Sequence, residues 1–163
     1  MSIEIKISKF MMTVSKFEFF LINENIELAR IKEDNHLQKL TGLDWQKLAV
    51  LIEKKYPFSN FKFEDSGFSV FKVTAPQYLV KSPETGKPKW DSDECIIDSW
   101  GKLLNRSFSQ FRNNIAHGNK GQLLAPFTNA RTEEFMAGGY ALIGFVADQI
   151  FEQENWEMEI AFQ

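Results

Sequence analysis

"WGKLLNRSFSQFRNNIAHG", residues 100–118, carries the clearest helical period in the chain and one of its two histidines. With residues set at about 100° steps from Leu104, the large apolar side chains Trp100, Phe108, Phe111 and Ile115 fall within about 40° of it. That is a narrow buried stripe. On the same wheel Arg106, Ser109, Gln110, Asn113 and His117 lie between about 140° and 240°, on the opposite side. The pattern predicts a helix that packs one face into a core and turns a polar, partly cationic face outward.

Working outward, a last helix is expected from Thr132 as N-cap, with Glu133 and Glu134 in its first turn, where negative charge complements the helix dipole. Its stripe is Phe135, Gly139, Leu142, Ile143, Val146 and Ile150, and its mid-helix glycines Gly138 and Gly139 fit a place where another helix approaches closely. Toward the N-terminus, "DWQKLAVLIEKKY" predicts a helix opened by Asp44 and closed by Pro57. Apolar positions at Phe10, Val14, Phe17, Leu21, Leu28 and Ile31 predict another over residues 9–32, paired antiparallel with the one after Asp44. "IEIKI", residues 3–7, alternates like an edge strand. Residues 58–93 change character, and "SPETGK" between "YLV" and Trp90 reads as a small hairpin or an ordered loop. The expected fold is therefore all-α, a four- to five-helix bundle forming a single domain over 1–163, with a short non-helical insertion at 58–93.

Composition supports one globular domain. The chain has 163 residues, 44% hydrophobic content and sixteen phenylalanines, enough to build a core without disulfides or metal staples. A lone cysteine, Cys95, forms no intramolecular disulfide and reads as a small semi-buried residue. The run "FMMTVSKFEFFLI" is broken by Lys16 and Glu18, so it is neither a signal peptide nor one of the roughly 18-residue uncharged spans that cross a bilayer. The expectation is a cytoplasmic protein with no membrane partner. A net charge of −3 argues against nonspecific coating of nucleic acid, but its distribution is uneven. Residues 98–131 carry +4 and residues 132–163 carry −7. The basic segment contains the opening stretch, as an anionic substrate requires.

Arg112, Asn113 and His117 are the chemistry-bearing residues. Asn113 and His117, four apart, are neighbours on a helix face, and Arg112 adjoins them. Together they offer a group that titrates near neutrality, a permanent bidentate cation and an orienting amide. Such a set suits a phosphodiester. In RNA the ribose 2′-OH is a nucleophile already tethered beside its phosphorus, so cleavage needs only a base and a charge stabiliser. The products would be a 2′,3′-cyclic phosphate and a 5′-OH. Arg106 and Lys120 are candidate phosphate contacts. No His, Asp and Glu cluster has metal-ligand spacing, His36 in "KEDNHLQ" reads as an exposed loop residue, and no metal or cofactor is expected.

"RNNIAHGN" resembles the signature of the HEPN superfamily, in which an Arg, often followed by a polar residue, precedes a His by four to six positions on a helix before the last long helix. The resemblance covers the helical part of the chain and leaves 58–93 unexplained. It implies a metal-independent endoribonuclease whose active site forms where two protomers meet, commonly a toxin of a toxin–antitoxin module or a phage-defence effector. Arg112 would then contact phosphate, His117 would act as base or acid, and Asn113 would orient the pair. A homodimer, an RNA substrate and a cognate antitoxin such as a nucleotidyltransferase are the implied partners. The family often adds a polar or acidic residue from the first helix, for which Glu24, Asn25 and Glu27 are candidates. Two other readings stay open: a non-catalytic dimerisation or RNA-binding module, and a helical partner-binding protein whose motif is coincidence.

Overall fold

The computed structural model describes residues 1–73, 77–91, 96–118 and 129–157, with the backbone alone for Val73, Tyr78, His117 and Gly118. Helix α1 runs Ile3–Glu24, strands β1 and β2 span Ala29–Asp34 and Leu37–Leu43, and α2 spans Trp45–Lys55. A one-turn helix α3, Val70–Val73, leads to β3, Tyr78–Lys81, and β4, Pro88–Asp91. A π-helical segment, Lys102–Phe108, runs into α4, Ser109–Gly118, and α5, Asn129–Phe145, is extended by a second π-helical segment, Val146–Ile150.

The fold is mixed α/β, which corrects the all-α expectation: two separate two-stranded antiparallel sheets accompany the five α-helices among the described residues. The first sheet was missed because Leu28 and Ile31 continue the 3.6-residue spacing of α1. Asn25 ends that helix instead, and its side chain accepts from the Glu27 amide at 3.1 Å to start a 3₁₀ turn. Strands β1 and β2 are then joined by Asn35 and His36, both at positive φ (49° and 67°), the geometry of the tight hairpin turns that Asn favours. His36 is exposed there.

"IEIKI" is not a strand but the first turns of α1, capped by Ser2, whose Oγ accepts from the Ile5 amide at 3.4 Å. Ile3 and Ile7 are a helical i, i+4 pair turned inward, and only Ile5 faces solvent, so three apolar residues at alternate positions fit either period. The helix after Asp44 forms as expected. Asp44 Oδ1 accepts from the Gln46 and Lys47 amides at 3.1 and 3.2 Å. Helix α2 packs on the π-helical segment before α4, on the 3₁₀ turn after α1 and on the π-helical end of α5, rather than as an antiparallel partner of α1. The last helix starts at Asn129, so Thr132 is a buried interior residue and not its cap.

The 58–93 region divides in two. Its second half is the hairpin β3–β4, closed by a loop in which Gly86 has a φ of 69°. Its first half belongs to the core: Phe63, Phe68 and Phe71 are buried, and Phe61, Phe68 and Phe145 cluster round Trp100, whose Nε1 donates to the Tyr56 carbonyl at 2.8 Å. A second aromatic group joins the helices. Phe10 of α1 lies 5.7 Å from Phe111 of α4, which stacks at 5.1 Å on Phe135 of α5. The stripe Trp100, Leu104, Phe108, Phe111 and Ile115 is buried throughout, as its period predicts.

Gly138 and Gly139 of α5 are where this packing is tightest. A Cβ on Gly139 would stand 2.7 Å from the Phe10 ring and 3.2 Å from Phe108, and one on Gly138 would stand 2.5 Å from Val70. Gly139→Val is therefore expected to destabilise the fold by about 1–3 kcal/mol through overpacking, read as a lower urea midpoint with unchanged slope. A midpoint equal to wild type would show that the Phe10 ring has room to retreat.

Candidate active site

Helix α4 presents the motif in order, with Arg112 and Asn113 in its middle and His117 in its last turn. Arg112 is held by two groups from other helices. Its Nη1 donates to Glu18 Oε1 of α1 in an ion pair whose side chains are each 22% exposed. Its guanidinium carbon lies 5.6 Å from the centroid of the Trp45 ring, at the start of α2. The Asp44 cap fixes that start, so a local turn signal at 44 determines where the arginine's aromatic support stands.

Two polar atoms in this neighbourhood are enclosed without a hydrogen-bond partner: Trp45 Nε1 and the hydroxyl of Ser109, one turn before Arg112. Ser109 stands at the edge of the polar arc on the wheel and is half-buried. The two asparagines of the motif have different tasks. Asn113 is exposed. Asn114 is buried, accepts from Gln110 Nε2 at 2.8 Å and donates to the Gln77 carbonyl at 2.5 Å, tying α4 to the segment before β3. It is a packing residue. Only Asn113 is placed to meet a ligand.

The basic character of the segment is smaller than its sequence count. Lys102 pairs with Asp98 at 3.0 Å, Arg131 with Glu134 at 2.6 Å, and Arg112 with Glu18. Arg106 is half-buried in the π-helical segment, six residues before Arg112. Lys120 and Cys95 lie outside the described residues, and the His117 side chain is not described. The structure brings Arg112 together with Glu18 and Trp45, neither of which was predicted, and not with Glu24, Asn25 or Glu27, which stand at the far end of α1. A signal for Glu18 was present, since it is an acid inside an otherwise apolar run, flanked by Phe17 and Phe19.

Among the described residues no three His, Cys, Asp or Glu side chains converge as metal ligands, and no helix is long and apolar enough to cross a membrane. No protein-family model, curated protein or solved structure matches the chain.

Proposed function

We propose that the chain is a metal-independent endoribonuclease of HEPN type that works as a homodimer. The observation that supports this reading best is the grip of Glu18 and Trp45 on Arg112. Glu18 occupies one edge of the guanidinium and Trp45 supports the group, which leaves further N–H donors of the fork for phosphoryl oxygens. An arginine held in place before substrate arrives stabilises developing charge with little reorganisation. In this reading His117 accepts the 2′-OH proton and Asn113 orients substrate or imidazole. The His117 of a second copy protonates the leaving 5′-oxygen. No metal or cofactor takes part, and Arg106 and Lys120 extend the phosphate track. A cytoplasmic toxin or defence effector, restrained by an antitoxin such as a nucleotidyltransferase, is the biological setting that fits. The two hairpins depart from the all-helical frame of the family, so the reading leans on the motif and its surroundings and not on the fold.

The same ion pair favours a second reading. Glu18 compensates the charge of Arg112, as a non-catalytic dimerisation or RNA-binding module would tolerate. Turnover separates the two. Under the proposal, a mixed-sequence RNA is cleaved in EDTA, to 2′,3′-cyclic phosphate and 5′-OH ends identified by mass spectrometry. The pH profile is bell-shaped about neutrality, as expected for imidazoles, whose ordinary pKa is about 6.5. Arg112→Lys keeps the charge but not the fork, and its rate falls by about 10². Cleavage that appears only with added magnesium or manganese, or that Arg112→Lys leaves unchanged, overturns the enzyme reading.

A further inference from the structure

Helix α1 carries two apolar stripes, and the fold uses one. Ile7, Phe10, Val14, Phe17 and Leu21 face the core. On another side Ile5, Met12 and Phe19 recur every seventh residue and are 50%, 59% and 53% exposed. Single exposed hydrophobics are ordinary on a protein surface, but a strict repeat is not. The third position after each continues it: Ser8, Ser15 and Ile22, the last half-buried against the core, complete an alternating 3-4 spacing, the a and d pattern of a helix that pairs with another helix. The serines are small, so they permit close approach, and the seam runs over 18 of the 22 residues of α1.

The flanking charges say what the partner is. Glu4 precedes Ile5, while Lys9 and Lys16 follow Ser8 and Ser15. When two such helices lie parallel, the residue before one a position reaches the residue five places further on in its partner. Glu4 then meets the partner's Lys9, twice by symmetry, and Lys16 meets the partner's Met11, so no like charges face each other. An antiparallel pair would set Lys9 beside the partner's Lys16, again twice. The pattern is self-complementary in one direction only.

We infer that the outer seam of α1 is the contact by which two copies of this chain associate, α1 parallel to α1 about a two-fold axis. Such an isologous contact uses the same patch on both protomers. Glu18, which grips Arg112, adjoins Phe19 on this seam, so the dimer carries both arginines beside its axis. The inference uses α1 alone and stands whether or not the protein cleaves RNA.

Sedimentation of the full chain at micromolar concentration, without RNA, tests it. Wild type sediments as a dimer. Met12→Glu buries an unpaired charge in the seam and weakens association by roughly 10²-fold or more, with the helical circular dichroism unchanged because Met12 lies outside the core. Glu4→Lys and Lys9→Glu each weaken it by about tenfold, and the double variant regains wild-type affinity. A monomeric wild type, or a dimer indifferent to Met12→Glu, overturns the inference, and a charge swap that does not restore affinity overturns the parallel arrangement. A chain that still dimerises and cleaves RNA with Met12→Glu would sink the seam and leave the ribonuclease standing, whereas a wild-type dimer that Met12→Glu dissociates and that never cleaves RNA would do the reverse.

Discussion

His117→Ala is expected to lower the RNA cleavage rate by roughly 10²–10⁴ while RNA affinity stays within a few-fold, because it removes a proton-transfer group and leaves the cationic contacts in place. Single-turnover cleavage and filter binding read the two effects separately. On the helical wheel His117 lies opposite the buried stripe, so the same variant should melt within a degree or two of wild type. Equal background-level cleavage by wild type and variant, with both harmless on expression, would remove the enzyme reading. An unfolded or dissociated variant would instead make His117 a structural residue and favour the scaffold.

The largest loss of stability is expected at Phe10→Ala. The ring is fully buried and lies 5.2 Å from Tyr140, 5.7 Å from Phe111 and 6.3 Å from Phe108, so one side chain joins α1 to α4 and α5. Truncating it costs about 3–5 kcal/mol, a large share of the roughly 5–15 kcal/mol that holds a typical domain folded. Chemical denaturation followed by circular dichroism measures it. The cost should also couple to Gly139, because a valine there fills part of the space that Phe10 vacates. Phe10→Ala with Gly139→Val is then less destabilising than the two single losses together. Strict additivity would mean that the ring does not occupy the space above Gly139.

Much of the helical frame could be read from the sequence because its signals are local. Asp44 and Pro57 bracket α2, since a cap and a missing amide act within one turn of where they stand. The stripe from Trp100 to Ile115 is buried as the spacing of its large apolar side chains indicates, although Lys102–Phe108 takes the wider π-helical turn. Gly138 and Gly139 marked a close approach by having no side chain, although only the packed structure shows that Phe10 and Val70 fill the space. Where two periods fit the same residues, tertiary structure decided. Ile3, Ile5 and Ile7 suit a strand or a helix, and Leu28 and Ile31 extend a helix that Asn25 had already ended. The candidate site divides in the same way. Sequence alone placed Arg112, Asn113 and His117 along one helix, but Glu18 meets Arg112 across 94 residues of chain, and Trp45 across 67. No local pattern encodes such meetings: they follow from how α1, α2 and α4 pack, which is set by the summed burial of their apolar faces and not by the polar residues brought together at the edge.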